Sequence, residues 1–355
     1  MVTRQHTVRA GWHPLSIVLA SLLAVSCTDE AAAPPDDPDE PVTPNVGHPP
    51  VAEPPANVVG GFGISLPPTT MAPGEESFPC WVFPLELDGP SHIVGGGKLV
   101  ASPGLHHGNV TTRPVTGQGL RPCEEGESAE LGGEASDILA GGAVLFGSST
   151  QIVGEEWQSF PEGMGFPIAD DYEIVARMHY LNTTSETLEV APSYEWFTID
   201  EATVERVLGP FAWVLTGWEI PPLSTHTATG HCNNLPGPMQ VVNAMPHMHA
   251  LGTEFFGTYV GGELDGDRWL DSVGYDPEDG VITQYTPAID LGQGEGFTFG
   301  CTWKNTFDKA IGEGVGDDEM CILFGYAYPY DNAYSGQATP GGGCVLIAPP
   351  PPGGD

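Results

Sequence analysis

Apolar and polar residues alternate along this chain over short runs, with no repeat every three to four residues. Tyr172-Glu173-Ile174-Val175-Ala176-Arg177-Met178-His179-Tyr180-Leu181 is one such run, and Gly296-Phe297-Thr298-Phe299-Gly300-Cys301-Thr302-Trp303 is another. A period of two marks strands that bury one face. With 48 glycines and 36 prolines the chain has many turns between these runs. The pattern predicts an all-β protein of antiparallel sandwiches.

The same period fixes which side chains share a face. His247 and His249 stand two apart and point the same way, while Met248 points the other way. Two imidazoles side by side suit a metal ion that needs two nitrogens; two solvated strand histidines are the plainer alternative. Further on, Met320, Ile322, Phe324 and Tyr326 share one face, and Cys321, Leu323 and Gly325 the other. Cys321 can therefore bond Cys301 on a neighbouring strand while Met320 projects away from that bond. A plain core role is the alternative for Met320.

A second candidate is Gly104-Leu105-His106-His107-Gly108. Neighbours on a regular strand face opposite ways, so His106 and His107 can share an ion only where the backbone bends. Pro103, Gly104 and Gly108 supply that freedom. His179 falls on the face of Val175 and Leu181 and would complete a three-nitrogen site. His6, His13, His48, His92, His226 and His231 lie in the leader, the tether or loops and are read as structural or solvated.

The ends are of a different kind. Residues 1–27 combine Arg4 and Arg9 with the apolar run from Leu15 to Val25, too short to span a membrane, and close on Ala24-Val25-Ser26-Cys27. This resembles a bacterial lipoprotein signal in which Cys27 becomes the lipidated first residue. An ordinary cleaved secretion signal is the alternative, and both lead out of the cytoplasm. Residues 28–76 are rich in Pro, Asp, Glu and Ala and read as a disordered acidic tether. The tail 349–355 reads likewise.

Charge narrows the partners. With Lys+Arg 10 against Asp+Glu 47 the formal net charge is −37. Such a surface repels nucleic acid and anionic headgroups, leaving the N-terminal lipid as the membrane contact. Cys80, Cys123, Cys232, Cys301, Cys321 and Cys344 remain once Cys27 is set aside, as expected of an oxidising compartment. A boundary near 200–207 divides the body into 77–200 and 207–348 and pairs Cys80 with Cys123, if no bond crosses it.

Cys232, His247-x-His249-x-Leu251-Gly252, Cys301, Asp318-Glu319-Met320-Cys321 and Cys344, preceded by Cys80, His106-His107 and Met178-His179-Tyr180, resemble in order and spacing the copper type II, ascorbate-dependent monooxygenases. That family includes the peptidylglycine α-hydroxylating and dopamine β-monooxygenases. The resemblance spans about 77–346 and is most specific in the second half. It implies two tandem antiparallel jelly-roll sandwiches, each with one copper, facing one another across a cleft. His106, His107 and His179 would bind an electron-storing copper, and His247, His249 and Met320 the copper at the reaction centre. It further implies the pairs Cys232–Cys344 and Cys301–Cys321. The implied reaction hydroxylates an unactivated C–H bond with O2 and an external reductant such as ascorbate. A copper-buffering surface lipoprotein without turnover would need the same ligands.

Three departures bear on substrate. The peptide-amidating members hold the substrate carboxylate with an Arg two residues before the first His, where this chain has Met245. Their substrate-contacting Asn and Tyr after the Glu-Met-Cys motif are Ile322 and Phe324 here. A glycine-extended peptide would lose a charged partner worth on the order of 1.5–3 kcal/mol. The expected substrate is therefore a small neutral or apolar molecule. Oligomeric state has no signature in the sequence.

Overall fold

The computed structural model describes residues 47–48, 51–124, 127, 137, 141–148, 154–233, 235–275, 282–292, 296–314 and 318–349. The expected leader with Cys27 and the tail from 350 lie outside them. Among the described residues regular structure is almost all β, with short helical turns such as Glu201–Thr203 and Tyr330–Asn332. Among the described residues no helix is long and apolar enough to cross a membrane.

The expected all-β sandwich is present as layered sheets. In the first half one sheet is built around Ile93–Val100, Ser193–Ile199 and Val58–Ser65, and a second around Cys80–Pro84, Tyr172–Leu181, Leu105–Pro114 and Val144–Gly147. In the second half a seven-stranded sheet runs through Thr283–Asp290, Gln240–His247, Ile322–Tyr328, Gly209–Leu215, Ser335–Ala338 and Cys344–Ile347, with Gly47–His48 on its edge. A four-stranded sheet of Thr225–Cys232, Gly296–Lys304, Gly252–Val260 and Arg268–Val273 is its counterpart. Each half buries an aromatic core. Trp196, Tyr194, Phe146 and Met178 belong to the first, and Trp213, Trp303, Phe297 and Phe299 to the second.

The three disulfides are Cys80–Cys123, Cys232–Cys344 and Cys301–Cys321. Cys301 and Cys321 do not sit on neighbouring strands of one sheet as alternation had suggested. Cys301 lies in the four-stranded sheet, while Cys321 precedes Ile322–Tyr328 in the seven-stranded one. The bond ties the two layers together, and Cys232–Cys344 does so again.

The expected tether at 28–76 runs too far. Val58–Ser65 pairs along its length with Ser193–Ile199, and Phe62, Ile64, Leu66 and Met71 are buried. Prolines and acidic residues on both sides hide a segment in which Phe62 and Ile64 turn inward while Val58 and Val59 stay exposed. The folded body therefore takes in residues well before 77.

Thr43–Asp355 form one compact unit. A β-bulge at Val242 joins the halves: the ladder shifts register between Val241 and Asn243, and Val242 packs into the first-half core together with Tyr326. The Tyr326 hydroxyl donates to the Val144 carbonyl at 2.7 Å. Val242 stands five residues before His247, so the strand bearing the histidine pair is gripped by the opposite half.

Candidate metal centres

His106, His107 and His179 come together, each offering a nitrogen within 4.8 Å of the others. The bend required of the first pair is a β-bulge. His179 lies opposite His107, but the next residue, Tyr180, lies opposite Leu105, leaving His106 as the extra residue. Gly104, at φ +90°, begins the strand distortion in a conformation other residues avoid. His106 Nδ1 and His107 Nδ1 are 3.0 Å apart. Two nitrogens about 2.0 Å from one ion at a tetrahedral angle would stand roughly 3.3 Å apart, so the pair is near ligand spacing.

His179 is held from outside the cluster. Its Nε2 lies 2.7 Å from Glu76 Oε1, and its ring stacks on Phe78 with centroids 4.4 Å apart. Met178, one residue back, points inward and lies 3.5 Å from the Tyr194 hydroxyl. His179 and Met178 thus occupy opposite faces, as alternation required.

In the second half the rings of His247 and His249 lie 5.3 Å apart and nearly perpendicular. His247 is the last residue of its strand and pairs with Ile322. Met320 packs against the apolar group of Met245, Ile322, Phe324 and Ala212, and Phe324 of that group lies 6.2 Å from the His247 ring. Met248 is buried in the core behind. The turn after His249 closes with Gly252 N–H donating to the His249 carbonyl. A side chain at Gly252 would strike Met248, its Cβ falling 2.8 Å from the Met248 Cβ.

Glu319 holds this turn, a role the sequence reading left unassigned. Its carboxylate accepts from the backbone N–H of His249 at 2.8 Å and of Leu251 at 2.6 Å, and from Trp303 Nε1 at 3.1 Å. Burial pushes its pKa above the usual carboxylate range, and the Leu251 and His249 N–H groups oppose that rise. Beside it, His249 Nδ1 lies 2.7 Å from the Asp318 carbonyl oxygen, which can only accept. His249 is therefore protonated at Nδ1 and keeps its Nε2 lone pair for a ligand. A signal was available in the sequence. Period two puts Glu319 on the inward face with Cys321, where a carboxylate needs buried donors.

Electrostatics link the two groups. Burial, then His179, His106 and His249, push His107 down to about 3. Burial, then His249 and His107, push His247 down to about 3. Both remain neutral at ordinary pH, the form that binds metals. His249 thus acts on His107, and His107 on His247, which places the two groups near one another.

Among the described residues the other histidines stay outside these two groups. His92 bonds Asp170 at 3.0 Å on the surface, and His226 lies over Trp303 with ring centroids 6.4 Å apart.

No family model matches this chain, and no curated protein does. Among solved structures, infectious bursal virus derived T=1 particles are similar over 80% of this chain and 73% of that one, at 10% identity and a TM-score of 0.20. The infectious bursal disease virus VP2 subviral particle is similar over 80% and 76%, at 10% identity and 0.19. Likeness this slight carries no argument about fold or function.

Proposed function

We propose that this protein is a copper-dependent monooxygenase that hydroxylates an unactivated C–H bond of a small neutral or apolar molecule, using O2 and an external reductant such as ascorbate. What carries the reading is two unlike donor sets near one another, a histidine triad and a His247–His249 pair, with Met320 in the apolar group beside His247. Two tandem jelly-roll domains, one per donor set, belong to the same proposal.

The residues fit copper. Imidazole suits both of its oxidation states, and the Met320 thioether favours the reduced one. Bound copper would supply the one-electron and dioxygen chemistry. The chain's own part is to keep His107 and His247 neutral and to hold the His249 tautomer through the Asp318 carbonyl. Met245, Ile322 and Phe324 form an apolar wall beside Met320, which suits a substrate without a carboxylate. Three disulfides fit an oxidising compartment. Export and anchoring through Cys27 to a bacterial membrane, in the periplasm or on the surface, complete the proposal.

The test is oxygen uptake by the copper-loaded protein with ascorbate and a panel of small neutral organics, with product analysis. Hydroxylated product in step with oxygen consumed is expected. Firm copper binding with no product from any of them would overturn the enzyme and leave a copper-buffering lipoprotein.

A further inference from the structure

Glu76 fell in the segment read as tether, yet it stands beside the histidine triad. Glu76–Ser77 pairs with the end of Tyr172–Leu181, with Ser77 opposite Tyr180 and Glu76 opposite Leu181. Cys80 lies opposite Arg177 on the same register, so Phe78 falls opposite His179. Directly opposed residues share a face, and diagonal neighbours lie within reach of a long side chain. His179 thus has Phe78 across from it and Glu76 on the diagonal. On its other side it pairs with His107. The ring is bounded on its face by Phe78 and on one edge by the Glu76 carboxylate, 2.7 Å from Nε2. Glu76 is not among the groups that converge with His106 and His107.

We propose that Glu76 is a positioning residue for the triad: it accepts the Nε2–H of His179, fixing that tautomer, so that His179 meets a metal ion through Nδ1. The inference rests on reading the triad as a metal site. A carboxylate behind a ligating imidazole sets ring orientation and raises ligand basicity, and its loss typically weakens metal binding 10–100-fold. His106 and His107 also approach one another through Nδ1, so the three rings would present the same nitrogen to the ion.

Nitrogen NMR of the metal-free protein labelled at histidine should find His179 protonated at Nε2 and bare at Nδ1. Glu76→Ala should abolish that fixed tautomer. In a His247→Ala background, where the triad alone should load, copper affinity should fall about 10–100-fold in Glu76→Ala. Glu76→Gln, which keeps an acceptor oxygen, should recover most of the loss. X-ray absorption should show the same number of copper ligands with and without the carboxylate. A lost oxygen ligand in Glu76→Ala would make Glu76 a ligand, and a proton on Nδ1 or unchanged affinity would equally overturn the proposal. Absence of copper from the wild-type triad would instead sink the metal reading, and the tautomer measurement would still decide the role of Glu76.

Discussion

The two candidate centres are built by different means. The triad rests on the register of a single sheet: Phe78, His179 and His107 lie in a row across adjacent strands, and one bulge adds His106. The His247–His249 pair stands at a strand end and depends on two sheets closing over Glu319, Trp303 and the Cys301–Cys321 bond. The first needs the register of that one sheet, whereas the second needs two sheets of the second half closed on one another. Damage to the second-half core should therefore spare the triad, and damage at the triad should stay local.

The largest expected effect tests that asymmetry. Glu319→Ala leaves the N–H groups of His249 and Leu251 and the Trp303 indole without their acceptor. At about 1–3 kcal/mol per orphaned buried donor, the loss should be several kcal/mol in denaturant unfolding. Copper should be lost from the second centre and kept at the triad. Equal loss from both would show that the halves do not form their sites separately.

Replacing Cys301 and Cys321 together by Ala should cost roughly 2–5 kcal/mol by the same measurement. It should also loosen the second centre before the first.

Acid should act on both centres alike. His107 and His247 are held down at about 3 in the folded metal-free protein, against about 6.5 when unfolded. Their contribution is fully present above pH 6.5 and is lost as pH falls from there toward 3, because the unfolded chain binds more protons. Unfolding free energy should decline by up to about 1.4 kcal/mol per pH unit for each histidine over that window. His107→Phe should flatten the slope, and an unchanged slope would place that histidine in solvent.

Metal counting sharpens the comparison further. Copper analysis should find close to two ions per chain in the wild type and one in His247→Ala, given two donor sets that share no ligand. A wild-type value near one that His107→Ala leaves unchanged would dismiss the triad.

Met320→Ile gives the smallest change in stability, under about 1.5 kcal/mol for a swap that keeps apolar volume. Copper(I) affinity at the second centre should nevertheless fall sharply and copper(II) affinity less, since both imidazoles remain. Sulfur scattering from copper should vanish from the X-ray absorption of the reduced protein. Its persistence would make Met320 a packing residue.

Alternation alone placed His247 and His249 on one face with Met248 behind them, and Met320 away from Cys321, because a strand leaves a side chain two choices. It also announced that His106 and His107 needed a bend. Which bend was decided by pairing: the bulge exists because Tyr180 meets Leu105 while His179 meets His107. The role of Val58–Ser65 was not legible, since its few apolar residues gain meaning only against Ser193–Ile199. Nor were the partners of Glu319 and Glu76. A carboxylate is stabilised by the donors it meets, and those come from Leu251, Trp303 and His179, up to about a hundred residues away in the chain. Period is a property of neighbours in sequence and could be read from it. The closing of one sheet on another, and of one half on the other at Val242 and Tyr326, is a property of distant segments, and the tertiary fold alone decided it.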